Sequence, residues 1–241
     1  MIPHDIDHAA LIGAYPFRRL PDPTPRGLLA QMDRHGVARA WVGHVPSVWY
    51  RDVAAGNDEL LEALERHGER LAPVPAVNPV WPGWELELDR ARDAHAPAVR
   101  TYPAHMGYAS TGPAMAELAA ACAERRLALV LTVRFEDARQ RSRLDVAPDL
   151  IGADIRAAVR SHEAVRVLVV GADRAIVEEV HWGSTPGESA RITWDISCIW
   201  GAPEDHLTHL VRTVGADRFV FGTHFPFRLY ESAVAKLALS R

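Results

Sequence analysis

Eight short apolar segments alternate with stretches of helical periodicity, and this alternation limits the possible folds more than any other feature of the chain. The predicted strands span residues 5–12, 37–43, 71–77, 98–102, 127–133, 165–170, 190–197 and 218–221. Buried strands that alternate with amphipathic helices are typical of a parallel sheet covered by helices. Eight such units in 241 residues predict a closed (β/α)8 TIM-type barrel, forming one α/β domain over residues 1–241.

The alternative fold is an open doubly wound sheet. Such a sheet normally carries a glycine-rich phosphate-binding turn after its first strand. Here the first strand is followed by Gly13-Ala-Tyr-Pro16, which lacks that pattern. The closed barrel is therefore the preferred prediction.

Capping residues locate several of the predicted helices. Thr24 before Pro25 predicts the start of the first helix. Asn57 and Asp173 are predicted N-caps of two later helices. Pro203 is predicted to begin the helix that precedes the last strand.

Charge and cysteine content exclude several classes of protein. The net charge is -4 and the pI is near 6.3, so the chain lacks the basic excess of a nucleic-acid-binding protein. Cys122 and Cys198 are too few for a disulfide framework or a thiolate zinc site. There is no signal-peptide pattern, and no apolar run approaches the length of about 18 residues that spans a membrane. These features predict a cytoplasmic protein whose partner is a small molecule.

A barrel of this type builds its active site at the carboxyl ends of its strands. Polar and aromatic residues follow these ends in the sequence: Tyr15, Arg18, His44, Trp49, Asn78, Trp81, Tyr102, His105, Tyr108, Thr132, Arg134, Glu136, Asp195, Ser197 and His224. Strand periodicity places three pairs on common faces: Arg100 with Tyr102, Thr132 with Arg134, and Asp195 with Ser197. The residues at these strand ends are therefore the candidates for an active site.

The run from Phe219 to Phe227 is the most informative of the strand ends. Three apolar residues lead to Gly222, and His224 follows between this glycine and Pro226. The pattern predicts a buried strand that stops abruptly with His224 at its tip. His224 is therefore a candidate catalytic residue, although a histidine that only caps a loop would show the same pattern.

Charged and aromatic residues near the barrel mouth have two interpretations. A buried Asp or Arg is costly unless it is paired. Asp195 could form an internal ion pair with Arg100 or Arg134, or the two arginines could bind the carboxylate of a substrate. Tryptophans such as Trp49 could plug the mouth or line an apolar pocket for a cyclic substrate.

Several short motifs occur in a fixed order along nearly the whole chain. They are Ile6-Asp7 with Ile12-Gly13, Arg100-Thr-Tyr-Pro103 with Gly107-Tyr108, Val133-Arg-Phe-Glu-Asp137, Asp195-Ile-Ser197, Gly215-Ala-Asp-Arg218 and Phe221-Gly-Thr-His-Phe-Pro-Phe227. Their combination resembles the amidohydrolase-related branch of the metal-dependent amidohydrolase superfamily. The resemblance implies a TIM barrel, and an activity among lactone and amide hydrolases and non-oxidative decarboxylases of aromatic acids. It also implies a divalent metal that activates water or polarises a substrate oxygen.

The metal ligands implied by this resemblance are missing. The family's His-x-His pair on the first strand falls on Ala9 and Leu11. His8 lies in the opposite phase, which predicts that it faces away from the barrel interior unless a bulge turns it. Thr132 stands in place of a later histidine, and His224 stands in place of the final aspartate. Since alanine, leucine and threonine cannot replace imidazole ligands, we predict a divergent member without the usual metal site.

Three functions remain open. In the first, the protein is a metal-independent hydrolase or decarboxylase of a small lactone, ester, amide or aromatic carboxylate, with His224 as general acid or base. Asp195 would orient His224, and Tyr102 or His105 would supply a second proton. The predicted substrate contacts are Arg100, Arg134, Tyr15, Arg18, His44, Trp49, Thr132 and Ser197.

In the second, the barrel is a catalytically silent binding or scaffold protein. In the third, a divalent metal such as zinc binds at an atypical site that combines His224 with Asp195, His105 or His44. No cofactor is expected in the first two cases. A homodimer is also expected, because only about three helical turns follow Leu229 and a partner subunit could cover the exposed end.

Overall fold

A ring of eight parallel strands surrounded by helices forms the protein, as a computed structural model covering residues 2–239 shows. The strands are β1 Ile6–Ile12, β2 Arg39–His44, β3 Leu71–Pro73, β4 Ala98–Thr101, β5 Ala128–Thr132, β6 Val167–Val170, β7 Ile192–Asp195 and β8 Phe219–Val220. The helices are α1 Pro25–His35, α2 Val53–Leu64, α3 Glu85–Asp93, α4 Pro103–Met106, α5 Pro113–Glu124, α6 Gly152–Arg160, α7 Arg174–Trp182, α8 Pro186–Ser189, α9 His206–Thr213 and α10 Tyr230–Leu239. The predicted alternation and the barrel fold are confirmed.

The ring is assembled from two ladders of unequal size. Strands β1 to β3 form one ladder and β4 to β8 form the other. A single parallel bridge between Ala76 and Arg100 joins the ladders on one side. On the other side, the His8 and Leu11 N–H groups donate to the carbonyls of Phe221 and Phe225 at 2.9 and 2.8 Å. These bonds close the barrel.

Side chains alternate between the barrel interior and the layer beneath the helices, as the two-residue period of a strand requires. The interior holds small and branched residues: Ala9, Val74, Ala98, Val130, Leu168 and Val170. Their neighbours along the strands, such as Val99 and Leu129, pack outward against helical residues such as Leu118 and Ile155. The two apolar layers fix the positions of the strand ends.

Two of the predicted helix starts are confirmed. Thr24 Oγ1 accepts a hydrogen bond from the Gly27 N–H at 3.0 Å. Asp173 caps α7 in the same way, by accepting from the Ile176 N–H at 3.1 Å. Each side chain satisfies a backbone donor that a helix leaves free at its first turn.

Two other predictions of helix starts were wrong. Asp52, not Asn57, caps α2, and Asn57 lies inside that helix, where its side-chain amide donates to the Ala76 carbonyl at 2.9 Å. This long-range bond outweighs the local tendency of asparagine to cap. Pro203 lies three residues before α9, which Asp205 caps.

His8 also departs from its predicted phase. The pairing of β1 with β2 shifts register between Asp7 and Ala10, so that one extra residue is accommodated in β1. His8 then contacts Trp41 edge to face, with ring centroids 4.8 Å apart. Trp41 packs against the interior cluster, so His8 lies towards the inside of the barrel rather than away from it.

Within residues 2–239, no helix has both the length and the apolar character needed to cross a membrane. Residue 1 and residues 240–241 lie outside the described part of the chain. The prediction that a partner covers the end of the chain falls partly on them, and it stays a prediction.

Candidate active site

Arg100 places a positive charge in the barrel interior at the end of β4. Only 1% of the residue is exposed, and its three guanidinium nitrogens make no hydrogen bond of normal geometry among the described residues, where the Tyr102 phenol is the polar group beside them. The guanidinium lies over Gly43 of β2, where a Cβ atom would approach Nη1 to 3.0 Å. The absence of a side chain at Gly43 therefore makes room for this cation. A buried guanidinium without partners is a strong site for an anion, because its five N–H donors match a carboxylate.

Tyr102 lies close to this cation, and Thr132 belongs to the neighbouring strand β5. Burial raises the pKa of the Tyr102 phenol, and the adjacent Arg100 guanidinium partly offsets the effect. Thr132 ends β5, and its Oγ1 is buried without a partner. Tyr102 and Thr132 line a small cavity of about 10 Å³, which is room for roughly one water molecule.

His224 follows β8 and is fully buried. Its backbone φ is +55°, a left-handed conformation that is uncommon outside glycine and is found at functional sites. Its Nε2 lies 3.0 Å from the carbonyl oxygen of Phe135. A carbonyl only accepts, so Nε2 carries the proton and Nδ1 carries the lone pair. Nδ1 has no hydrogen-bond partner among residues 2–239.

The charge state of His224 follows from its surroundings. Burial, together with the nearby Arg228 and Arg100 guanidinium groups, lowers the pKa of His224 to about 3. The ring is therefore neutral near pH 7, and Nδ1 is available as a base or as an acceptor for a donor group.

Aromatic side chains form a cover over Arg100 and His224. Phe135 lies at the centre of the cover. Ring centroids of five neighbours lie 5.4 to 6.2 Å from it: Trp49, Tyr102, His105, His224 and Phe227. The mouth is therefore filled by rings, with Phe135 in the place where we predicted a tryptophan plug or an apolar pocket.

Tyr15 and Arg18 hold the residue that follows Phe135. The Tyr15 hydroxyl donates to Oε2 of Glu136 at 3.0 Å, and Arg18 Nε donates to Oε1. The Glu136 side chain is only 2% exposed. Burial and the Glu136 carboxylate raise the pKa of the Tyr15 phenol. These two predicted substrate contacts are thus engaged with a carboxylate of the protein itself.

Asp195 lies deep at the end of β7 and binds backbone groups. It accepts from the Gly171 N–H at 2.8 Å and from the Ser197 N–H at 2.9 Å. Burial raises the pKa of its carboxyl. None of the ion pairs or hydrogen bonds within residues 2–239 joins Asp195 to His224, Arg100 or Arg134. Asp195 and Ser197 therefore fix the backbone below His224 rather than orient its ring.

The remaining predicted residues lie around the rim. His44 Nδ1 is 3.0 Å from Ser47 Oγ, and His105 Nε2 is 3.2 Å from Asp145 Oδ1. Arg134 pairs with Asp149 at 3.0 Å and with Asp173 at 3.2 Å. Trp49 packs on His105 with centroids 5.6 Å apart. Of the predicted set, Tyr102 and His224 lie near Arg100, and Tyr102, His105, Thr132 and Arg134 line the small cavity together.

Comparison with known proteins gives matches at the level of structure. No family model and no curated protein sequence matches the chain. The 2,6-dihydroxybenzoate decarboxylase from Rhizobium has a TM-score of 0.73 at 14% identity, over 98% of this chain and 92% of that chain. A probable 2-pyrone-4,6-dicarboxylic acid hydrolase from Acinetobacter baumannii, with citric acid bound, has a TM-score of 0.68 at 12% identity, over 99% and 92%. A dihydroxybenzoic acid decarboxylase from Polaromonas sp. JS666, with bound manganese and the inhibitor 2-nitroresorcinol, has a TM-score of 0.71 at 11% identity, over 97% and 90%.

These similarities agree with the (β/α)8 TIM-type barrel derived from the strand pairing. At such low identity they show the fold alone. Manganese in one of them raises the question of whether the present chain could hold a metal.

The residues at the mouth do not fit a divalent metal. Residues 2–239 contain no group of three or more His, Cys, Asp or Glu side chains that could hold a metal ion. The interior instead presents the fixed cation of Arg100 near a neutral His224. A second cation at this point would be repelled. The charge and the donor set therefore suit an anion better than a divalent cation.

Phe135 was not singled out in the sequence, and Glu136 was placed at a strand end without a role. Both belong to the motif Val133-Arg-Phe-Glu-Asp137, which follows a buried strand. That position places them at the mouth, but their partners in the fold are more than 80 positions away in the chain. Sequence reasoning alone therefore offered a location and no role.

Proposed function

We propose that the protein is a metal-independent hydrolase or decarboxylase that acts on a small carboxylate at the barrel mouth. The buried and unpartnered guanidinium of Arg100 carries this proposal. In this scheme it binds the carboxylate of a lactone, ester, amide or aromatic acid, with Tyr102 and Thr132 as further donors. His224, whose ring is near enough to Arg100 for that charge to lower its pKa, is the acid or base in this scheme, through Nδ1.

Hydrolysis suits the neutral imidazole better than decarboxylation does, because its free lone pair can accept a proton. Nδ1 takes a proton from water while the water oxygen bonds to the substrate's carbonyl carbon. The same proton then passes to the leaving oxygen or nitrogen as the carbonyl carbon releases it. An anionic substrate offsets the two arginines that lower the pKa of His224, and the base becomes stronger when the substrate is bound.

The other candidate residues support this centre from outside. Asp195 and Ser197 hold the backbone at the end of β7. His105 contacts Phe135 of the aromatic cover edge to face and is held by Asp145. We propose these as positioning residues, and Tyr102 as the second proton donor.

A turnover assay tests the proposal. Chelator-treated protein would be incubated with a panel of small lactones, aryl esters and hydroxybenzoates, and products followed by NMR. Loss of the Arg100 charge in Arg100→Met should raise KM by about 100-fold, since a charge-assisted pair is lost. His224→Ala should instead lower kcat by about 100-fold or more. Arg212→Met, at an exposed position of α9, is the matched control.

Two outcomes would contradict this scheme. Activity that survives His224→Ala removes the acid–base assignment. Activity that disappears with chelator and returns with manganese or zinc establishes an atypical metal site at His224, the third function considered from the sequence.

A catalytically silent binding protein is the second candidate. The filled mouth favours it, because the cavity beside Thr132 has only about 10 Å³. Carboxylate binding without turnover of any panel member would support this alternative. A homodimer and a cytoplasmic location also remain proposals, and light scattering would test the first of them.

A further inference from the structure

Phe135 separates an inner space from an outer one. On the inside it lines the cavity of about 10 Å³ together with Tyr102 and Thr132. On the outside it lines a cleft of about 400 Å³ with Glu136, Phe227 and Arg228. Phe135 is the residue that the linings of these two spaces share. Its displacement would join the two spaces.

We propose that Phe135 is a removable plug that the chain provides for its own site, and that Glu136 is the latch that keeps it closed. The plug lies in the roof loop, residues 133–151, which connects β5 to α6. The identity of the ligand that replaces Phe135 rests on the proposed function. The latch itself does not.

The latch is built from one carboxylate and two donors. Tyr15 and Arg18 come from the loop after β1 and both bind the buried Glu136. The Arg18 bond is charge-assisted, and such bonds are roughly twice as strong as neutral ones. The two donors thus tie the roof loop to a different part of the barrel.

The rest of the roof loop is held less firmly. It contains no helix or strand between β5 and α6. Its apolar residues Leu144 and Val146 are 78% and 86% exposed. Several of its ion pairs, including Arg139 with Asp137, are internal to the loop. Asp145 with His105 at 3.2 Å, Arg134 with Asp173 at 3.2 Å, and the Phe135 carbonyl with His224 are further ties to the barrel, and opening must break them once Glu136 is released.

The surroundings of Phe135 indicate what can take its place. Its ring is enclosed by other rings at 5.4 to 6.2 Å, and Tyr102 among them lies beside the Arg100 guanidinium. A planar ring in the position of Phe135 would keep these contacts. A carboxylate on that ring would reach the buried cation, so the space suits a planar acid about the size of benzoate.

Opening also changes the candidate base. The Phe135 carbonyl accepts the Nε2 proton of His224. Movement of Phe135 breaks this bond, and either ring nitrogen of His224 can then carry the proton. Access to the site and activation of His224 are thereby linked in one movement.

Limited trypsin digestion tests the latch without any assumption about substrate. The roof loop carries Arg139, Arg141 and Arg143, and mass spectrometry would locate the cuts. Glu136→Gln should speed cleavage in this loop by about tenfold, because the charge-assisted bond is lost. Tyr15→Phe, which removes one hydroxyl only, should speed it less. Glu117→Gln, at an exposed position of α5 outside the roof loop, is the matched control and should leave the rate unchanged.

Benzoate is the probe for the plug, with affinity measured by calorimetry. It should speed cleavage of the wild-type loop, and Glu136→Gln should bind it up to about tenfold more tightly because less energy is spent on opening. Unchanged cleavage in both Glu136→Gln and Tyr15→Phe would overturn the latch. Benzoate binding without faster cleavage of the wild type would overturn the plug but leave the proposed function intact. Faster cleavage in the two variants, with no benzoate binding to any form, would support the latch and refute the proposed carboxylate site.

Discussion

Replacing Arg100 with methionine should make the ligand-free protein more stable. Each buried polar group without a partner costs about 1 kcal/mol or more, and all three guanidinium nitrogens are in this state. Methionine has a similar length, so it keeps most of the packing near Gly43 while it removes the charge. We expect a gain of about 3 kcal/mol, which is about 6–12 °C in Tm for a chain of this size.

The assay is thermal and urea unfolding followed by circular dichroism, in a buffer without small carboxylates. Arg134→Met is the matched control, because Arg134 pairs with Asp149 and Asp173. Loss of those partly exposed pairs should lower stability by about 1 kcal/mol. The two substitutions are chemically identical and should have opposite signs. A Tm that falls in Arg100→Met as it does in Arg134→Met would refute the anion site, because it would show that Arg100 has a structural partner in solution.

Three further predictions concern the same centre. Gly43→Ala should destabilise the protein by about 1–3 kcal/mol in urea unfolding, because its Cβ would meet Leu11 at 2.9 Å and Arg100 at 3.0 Å; a neutral effect would mean that the guanidinium lies elsewhere. His224 has a pKa of about 3 in the folded chain against an ordinary value of 6.5. Below about pH 6.5 the unfolded chain therefore binds a proton that the folded chain does not bind, and the free energy of unfolding decreases as the pH is lowered. By about pH 4.5 this loss is on the order of 2 kcal/mol, and His224→Gln should show a correspondingly smaller loss between about pH 7.5 and 4.5; equal losses would contradict the burial of a neutral ring. Elemental analysis of protein purified without added metal should find less than about a tenth of an equivalent of zinc, manganese or iron per chain, whereas about one equivalent would return the metal-dependent mechanism to first place.

The barrel was predictable because it depends on local patterns. Apolar strands such as Ala128–Thr132 and caps such as Thr24 carry their signals within a few residues. The same locality explains why His224 and Arg100 could be named in advance. Each follows from the phase or the end of one strand.

The roles of the site residues were less accessible because they depend on distant partners. Tyr15 and Arg18 were predicted to contact substrate, and the structure pairs them with Glu136, which lies 121 and 118 positions away. The bulge in β1 that turns His8 inward is likewise a property of pairing with β2. Asn57 shows the same effect, since its amide serves a neighbouring strand rather than a helix start. A sequence pattern gives the position of a polar group, but the folded chain decides what that group binds.

The seam between the two strand ladders has a consequence for how the barrel responds to a ligand. Arg100 forms the single bridge across this seam: its N–H donates to the Pro75 carbonyl at 2.8 Å, and its carbonyl accepts from the Val77 N–H at 2.8 Å. The backbone of Arg100 thus joins the two strand ladders, and its side chain carries the charge of the site. Binding of an anion should therefore stiffen the barrel as a whole. Slower hydrogen exchange at the buried backbone amides of Val77 and Arg100 would show this effect.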